Sequence, residues 1–272
     1  MSKVKLLILD LDGTCHKMGG GPHPNNFEAI KKAHDEYGIN VVFATGRANH
    51  SKYNEFIKLG DISKGNYFLA AFNGAYIENM SNKTLLEENP IPSNLTKWLW
   101  NYINKEDRFS AVSYIHNSRD VISSKDNLLV QRVLHFNNPD FEVHSPYEKE
   151  EFPETYKFVV KHFTQVDKEI LEEKGFHVQW EPSSDTAEIN FQDINKGYVV
   201  DYFCKKLDIN HSEVLAMGDG SNDVESLKKA GYGICPVNSG PAAKSAANRI
   251  SNYTDAESCV ARTIEELVFN KN

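Results

Sequence analysis

The fold is decided by an apolar run that ends in two acids, Val4-Lys5-Leu6-Leu7-Ile8-Leu9-Asp10-Leu11-Asp12-Gly13-Thr14. Residues Val4 to Leu9 predict a buried strand, and Gly13 predicts a turn directly after it. The turn lifts two carboxylates out of the strand, an arrangement that suits metal-assisted covalent phosphoryl transfer. The alternative is a solvated turn whose carboxylates only mark the strand end, so the rest of the chain has to decide.

Three further segments have matching chemistry and follow in order. Val41-Val42-Phe43-Ala44 is a second apolar run and ends in Thr45-Gly46-Arg47. Asn195-Lys196-Gly197 opens a helix-like stretch, and the apolar run Val214 to Met217 ends in Gly218-Asp219-Gly220-Ser221-Asn222-Asp223. Ligands of open parallel sheets bind beyond the carboxyl ends of the strands. These polar turns therefore predict one shared site.

On these segments the chain resembles the haloacid dehalogenase (HAD) superfamily. Within it, the chain is similar to the Cof-like phosphatases, which carry a large type IIB cap inserted between the second and third motifs. The resemblance rests on motifs that bracket nearly the whole chain: Asp10-Leu11-Asp12-Gly13-Thr14, Ala44-Thr45-Gly46-Arg47, Asn73-Gly74-Ala75, Lys196-Gly197 and Gly218-Asp219-Gly220-Ser221-Asn222-Asp223. The motifs are specific for the superfamily and say little about the substrate.

We expect an α/β protein with a doubly wound parallel sheet, a Rossmann-like HAD core, and an inserted α+β cap domain. The predicted core is discontinuous, residues 1–82 and 189–272, and the predicted cap is residues 83–188. In the core, a helix from a capping Asn25 to Gly38 joins two strands, a unit that favours parallel pairing. Pro90 and Pro92 mark the boundary to a middle third that mixes strands and helices.

Further elements are predicted from spacing. A helix from about Ser51 to Leu59 and another from Asn127 to His135 follow the helical period. Asn73-Gly74 predicts a hairpin turn, or a contribution to the site. The tryptophans of the middle third are interpreted as cap core rather than as a platform for stacked bases.

The resemblance assigns roles to the first motif. Asp10 is the expected nucleophile and Asp12 the expected general acid and base, which would protonate the leaving oxygen and later activate water. Mg²⁺ is the expected cofactor because it prefers oxygen ligands. Its predicted ligands are Asp10, Asp219, the backbone carbonyl of Asp12, and Asp223, which would act through water or by orienting the other ligands.

Other residues are predicted to bind the phosphoryl group. Thr45 offers a hydroxyl and Gly46 an unshielded N–H, while Asn222 offers an amide. Lys196 would offset the negative charge of the nucleophile and of the transferring group. Arg47 fits the family pattern too, and the alternative is that it forms an ion pair of the scaffold.

The expected function is hydrolysis of small phosphorylated metabolites, with sugar phosphates as the expected group, by a Mg²⁺-dependent phosphatase through an aspartyl-phosphate intermediate. A sugar phosphomutase is an alternative, and a regulatory protein that binds phosphometabolites at a weakened site is another. Specificity is expected from the cap, whose candidate contact residues are His116, Arg119, Lys125, Arg132, Lys161 and His162.

Composition limits the classes of partner that the protein can bind. A net charge of -8 argues against nucleic acid as a partner, because such binding depends on basic patches. No apolar run approaches the roughly 18–20 residues that span a bilayer, so we expect no membrane partner and a cytoplasmic protein. We expect a monomer or a weak homo-oligomer.

The four cysteines are scattered, which argues against a zinc site and against disulfides. Cys15 is either a small buried side chain or an oxidation-sensitive thiol.

Overall fold

The structure is a computed structural model, and it describes residues 4–51, 56, 65–124, 142–146, 150–180, 182–183 and 185–270. The predicted helix from Asn127 to His135 lies outside these residues, as do Lys125, Arg132 and nearly all of the predicted helix from Ser51 to Leu59. The chain divides into two compact units. The first contains Met1–Gly46, Tyr53–Leu86 and Asn195–Asn272, and the second contains Arg47–Lys52 and Glu87–Ile194.

The strands of the described residues are, in chain order, β1 (Leu6–Leu9), β2 (Asn40–Ala44), β3 (Tyr67–Ala71), β4 (Tyr76–Asn79), β5 (Thr84–Glu88), β6 (Ser110–Ile115), β7 (Val121–Ser123), β8 (Val143–His144), β9 (Thr155–Lys161), β10 (Phe176–Gln179), β11 (Thr186–Phe191), β12 (Val214–Met217), β13 (Tyr232–Cys235) and β14 (Arg249–Ile250). The α-helices are α1 (Pro24–Tyr37), α2 (Ser93–Ile103), α3 (Gln165–Glu173), α4 (Lys196–Leu207), α5 (Val224–Lys229), α6 (Pro241–Ala246) and α7 (Cys259–Ile264).

The first unit is built on a sheet with the strand order β14-β13-β12-β1-β2-β3-β4-β5. Strands β14 to β3 in this order are parallel, whereas β3 and β4 form an antiparallel hairpin. Strand β1 lies in the middle, where Leu9 is level with Met217 of β12 and with Phe43 of β2. The ends of the three motif-bearing strands therefore lie side by side at one edge of the sheet.

Both faces of this sheet are covered by helices. Val42 and Ala44 belong to a buried cluster with Val199 and Phe203 of α4. Phe43 points to the opposite face, because side chains alternate along a strand, and its ring stacks on Phe27 of α1 with centroids 6.1 Å apart. This arrangement confirms the predicted α/β fold with a doubly wound, mostly parallel sheet.

Helix α1 ends as the sequence predicts but begins earlier. Gly38 has a φ of 68°, and its N–H bonds to the carbonyls of Ala33 and His34. The predicted cap at Asn25 is wrong: the helix begins at Pro24, and His23 precedes it without a side-chain cap. Proline suits the first helical position because its missing N–H has no partner there, and this preference outweighs the capping pattern.

The second unit contains a sheet with the order β10-β11-β9-β6-β7-β8, in which all pairs but β7 and β8 are antiparallel. Helices α2 and α3 pack on it around the fully buried Trp100, whose Nε1–H donates to Ser113 Oγ at 3.2 Å. The interpretation of this tryptophan as core is confirmed. Across the described residues, no helix is long and apolar enough to cross a membrane.

Candidate active site

The acidic turn after β1 is held at the edge of the sheet. The Asp10 N–H donates to the Met217 carbonyl at 2.9 Å, and the Asp10 side chain is buried. Gly13 has a φ of +84°, and a Cβ built on it would lie 2.4 Å from Asp219 Oδ2. The Thr14 hydroxyl donates to Asp219 Oδ1 at 3.4 Å. Glycine is therefore required both for the turn and for the close approach of the Asp219 carboxylate.

The loop after β12 fixes a second buried acid. Asp223 Oδ2 accepts hydrogen bonds from the backbone N–H groups of Asp219 and Gly220, each at 3.0 Å. A Cβ on Gly218 would lie only 2.1 Å from Asp223 Cγ, which excludes any side chain at that position. The Asp223 carboxylate is thus locked against its own loop, and its other oxygen, Oδ1, accepts from Lys196.

Lys196 joins the two acidic loops. It is the first residue of α4, where the Asn195 side chain caps the helix by accepting from the N–H groups of Gly197 and Tyr198. Its Nζ donates to Asp10 Oδ1 at 2.5 Å and to Asp223 Oδ1 at 2.7 Å, and the residue is 1% exposed. A buried ammonium requires such partners.

The carboxylates of Asp10, Asp219 and Asp223 form what we call the acidic cluster. One oxygen from each lies within 4.8 Å of the others. Three carboxylates around one ammonium carry excess negative charge, and oxygen ligands are those that Mg²⁺ prefers. The residues present therefore fit a divalent cation. The Asp12 carboxylate is half-buried and is not one of the three.

Burial and crowding raise the pKa of two members of the cluster, Asp10 and Asp219. Burial raises the pKa of Asp10 well above its usual range; Lys196 opposes this, and Asp223, Asp219 and Asp12 add to it. Burial and the charge of Asp223 raise the pKa of Asp219 to about 7. Burial alone would lower the pKa of Lys196, but Asp10 and Asp223 together outweigh it and raise that pKa.

The predicted phosphate-binding residues lie on neighbouring loops of the same unit. Thr45 is buried directly after β2, and its N–H donates to the Ala70 carbonyl at 2.9 Å. Because Phe43 is level with Leu9, Thr45 and Gly46 follow β2 beside the Asp10–Asp12 turn. The role of these two residues in binding phosphate stays a prediction.

For Asn73 the sequence leaves open whether it only forms a turn or also contributes to the site. It is fully buried in the β3–β4 hairpin with a φ of 61°. Its N–H donates to the Thr45 carbonyl at 2.9 Å, and its Oδ1 accepts from Asn222 Nδ2 at 3.2 Å. Asn73 therefore links two loops predicted to bind phosphate. The Asn-Gly pair predicted the turn correctly but not this link.

The fold and the acidic cluster together define a hydrolase class built around an acid at the end of a central strand. A sequence model described as haloacid dehalogenase-like hydrolase matches residues 7–264. The chain belongs to the haloacid dehalogenase-like hydrolase family.

Similar proteins extend along the whole chain. The 5-amino-6-(5-phospho-D-ribitylamino)uracil phosphatase YcsE of Bacillus subtilis is 28% identical over 97% of this chain and 96% of its own length. The pyridoxal phosphate phosphatase YbhA of Escherichia coli is 26% identical over 93% and 95%. Among solved structures, the HAD subclass IIB sugar phosphatase BT4131 superposes with a TM-score of 0.79 at 20% identity, over 97% of this chain and 98% of that one.

Proposed function

We propose that this protein is a Mg²⁺-dependent phosphatase that hydrolyses small phosphorylated metabolites through a phosphorylated Asp10. The observation that carries the proposal is the Lys196 ammonium, buried between Asp10 and Asp223 with the Asp219 carboxylate beside them. A buried carboxylate with a cation on one oxygen is held in place for attack by the other.

Asp10 and Asp12 divide the chemistry between them. The free oxygen of Asp10 attacks phosphorus, the bond between phosphorus and the leaving oxygen breaks, and Asp12 gives that oxygen a proton. Water then attacks the phosphorus of the acyl phosphate while Asp12 takes its proton, which releases phosphate and restores Asp10. The same carboxyl can serve both half-reactions because the first leaves it in the form that the second needs.

The surrounding residues reduce the electrostatic cost of this attack. Lys196 offsets charge on Asp10 and on the transferring group. Asp10, Asp219, the Asp12 carbonyl and Asp223 are the proposed ligands of Mg²⁺. When bound, the ion would neutralise phosphate oxygens and so reduce their repulsion of an anionic nucleophile. Thr45, Gly46 and Asn222 are proposed to donate hydrogen bonds to the same oxygens.

The proposed substrates are small metabolites, with sugar phosphates as the first group to test. YcsE is named for a ribityl phosphate, YbhA for pyridoxal phosphate and BT4131 for sugars. What these compounds share is a phosphate monoester on a small polar body. The three named activities differ from one another, so resemblance supports the phosphate ester and not a particular leaving group.

The test is phosphate release from a panel of sugar phosphates, nucleotides and cofactor phosphates, with Mg²⁺ or with EDTA. We expect turnover that EDTA abolishes and that Asp10→Asn lowers by roughly 10³-fold or more, as for loss of other catalytic nucleophiles. Asp35→Asn is the matched control, because Asp35 is an exposed acid of the same unit, on α1.

A second measurement tests the order of steps. In Asp12→Asn the water attack lacks its base, so acid quenching followed by mass spectrometry of peptides should show phosphate on Asp10. Undiminished turnover by Asp10→Asn would refute the proposal. Isomerised sugar phosphate without free phosphate would indicate a mutase, and tight binding of a panel member without turnover would indicate a regulatory protein.

A further inference from the structure

The chain that follows the acidic turn, residues 15–23, forms a short hairpin that we call the flap. His16 bridges to Asp12 on one side and to Pro22 on the other. At the tip, the Gly20 N–H donates to the Lys17 carbonyl at 2.8 Å, and Gly19 has a φ of +68°. Residues 17–20 thus form a tight turn whose third position requires glycine.

The base of the flap is fixed to the C-terminal part of the same unit. The Cys15 carbonyl accepts from Asn26 Nδ2 at 3.1 Å, and Asn26 Oδ1 accepts from the N–H of Ala261 at 3.0 Å. Ser258 Oγ lies 3.1 Å from His23 Nε2. Cys15 itself is fully buried, in agreement with its interpretation as a small core side chain.

The tip is held by a single buried acid. The Met18 N–H donates to Asp255 Oδ2 at 2.5 Å, and Asp255 is 3% exposed. Asp255 Oδ1 accepts from Asn238 Nδ2 and from the N–H of Ala256, each at 2.9 Å. Within the part of the chain that the structure describes, no other hydrogen bond joins residues 17–21 to a residue outside the flap.

This contact sets the tip against the acidic cluster. A Cβ built on Gly13 would meet Met18 Cε at 2.7 Å and Asp219 Oδ2 at 2.4 Å, so the methionine methyl and the carboxylate both lie over Gly13. The tip has no apolar anchor of its own, because Met18 is 59% exposed.

We propose that Asp255 is a positioning residue, which holds the tip of the flap over Gly13 and Asp219 by accepting the Met18 N–H. It touches neither the proposed nucleophile nor the proposed acid. Its effect on turnover rests on the proposed function, whereas its effect on the conformation of the flap does not.

Limited proteolysis tests the conformation without any substrate. Lys17 is exposed, and trypsin cuts after it once the tip opens, at a rate that follows the open population. We expect Asp255→Ala to be cut roughly tenfold faster or more, because a hydrogen bond to a charged acceptor is lost. Asp255→Asn keeps one acceptor, which can serve either the Met18 N–H or the donors of Asn238 and Ala256, so its cleavage rate should lie between those of wild type and Asp255→Ala.

Glu257→Ala is the matched control for the same turn. The Glu257 carboxylate accepts from the N–H and hydroxyl of Thr254 and makes no contact with the flap in the hydrogen bonds described. Its cleavage after Lys17 should equal that of wild type. Equal cleavage of Asp255→Ala and wild type would overturn the proposal, and so would faster cleavage of Asp255→Asn than of Asp255→Ala.

A second pair of variants tests the effect on turnover and keeps the Asp255 side chain in place. Met18→Pro removes the N–H donor at a turn position that accepts proline, whereas Met18→Ala keeps the donor and removes the side chain. We expect Met18→Pro to lower kcat by roughly 10- to 100-fold at an unchanged melting temperature and pH profile, as small misplacements near a reacting centre do. Met18→Ala should keep kcat within about threefold if only the donor matters.

The proteolysis and the turnover experiments test the role of Asp255 separately from the proposed function. Equal kcat for the two Met18 variants would overturn the positioning role even if turnover is robust. If wild type hydrolyses nothing in the panel, the proposed function fails, and the cleavage rates still decide whether Asp255 holds the flap.

Discussion

Buried acids in the two units have opposite surroundings. In the second unit, Asp167 is 1% exposed and accepts from Arg108 Nη1 at 2.8 Å and Nη2 at 2.7 Å, from the Tyr102 hydroxyl, and from the hydroxyl and N–H of Thr164. Burial alone would raise its pKa, but the hydrogen bonds from Arg108, Thr164 and Tyr102 lower that pKa to about 2. Asp167 is a satisfied acid that caps α3.

In the first unit, among the residues that the structure describes, the acidic cluster has three carboxylates but only one cation, Lys196, in hydrogen-bond contact with them. Asp10 and Asp223 share the Lys196 ammonium, and the side chain of Asp219 accepts the weak hydrogen bond from Thr14. Burial and mutual repulsion raise the pKa of Asp10 and of Asp219. The comparison teaches that burial does not identify a functional acid. What identifies it is charge that the protein itself leaves uncompensated.

Removing the shared cation should have the largest effect. In Lys196→Met, Asp10 loses its partner, so we expect kcat to fall by roughly 10²- to 10³-fold, as when other charge-stabilising donors are removed. The metal-free protein should also lose about 3–5 kcal/mol of stability, because buried charge is left unpaired.

Lys228→Met is the matched control for this loss, since Lys228 is an exposed lysine of the same unit that pairs with Glu225. Its kcat and its urea midpoint should stay close to those of wild type. Similar values for the two lysine variants would contradict the account of a shared buried cation.

The second prediction concerns pH. The pKa of Asp219 is about 7 in the folded protein against a usual 3.8, so folding favours its protonated form. Its stabilising contribution is present below about pH 4 and is lost as the pH rises through 7. In EDTA, Asp219→Asn should therefore gain stability over wild type across this window, by at most about 4 kcal/mol.

Urea unfolding at a series of pH values measures this difference, and added Mg²⁺ should restore wild type more than the variant. If the stabilities of wild type and Asp219→Asn change in parallel between pH 4 and 8, the acidic cluster does not carry uncompensated charge.

The stability that Asp167 contributes should depend on pH in the opposite direction to that of Asp219. Its folded pKa of about 2 is below the usual 3.8, so its contribution is present above about pH 4 and is lost as the pH falls through 2. Asp167→Asn should cost about 2 kcal/mol at pH 7 and little at pH 2, with turnover at pH 7 unchanged while the protein stays folded. If Asp167→Asn loses as much stability at pH 2 as at pH 7, the Asp167 carboxylate is not stabilised in its charged form, and the contrast with the acidic cluster fails.

The smallest expected effect belongs to Asn73. Asn73→Gly keeps the positive φ but removes the amide that accepts from Asn222, so about 1 kcal/mol of stability should be lost. Asn73→Ala should lose about 1 kcal/mol more, because alanine disfavours the left-handed conformation. Melting curves for the pair separate the hydrogen bond from the backbone, and equal losses would show that the conformation costs nothing.

Much of the first unit could be predicted because the relevant information is local. Short apolar runs such as Leu6–Leu9 and Val214–Met217, each followed by a glycine-containing turn, favour buried strands. Strands β4 and β14 were not predicted, because β4 is short and half-buried and β14 has two residues. Short elements are fixed by the partner strand more than by their own pattern.

The amino-acid sequence by itself determined the order of strands and helices, the glycines at tight turns and the acids that follow the strands, since these depend on neighbours in the chain. The resemblance predicted that Lys196 offsets the charge of Asp10. The tertiary structure alone decided other distant pairs: Lys196 with Asp223, Asn73 with Asn222, and Asp255 with Met18. Such pairs depend on the positions of several elements in space, and no periodicity or local propensity specifies them.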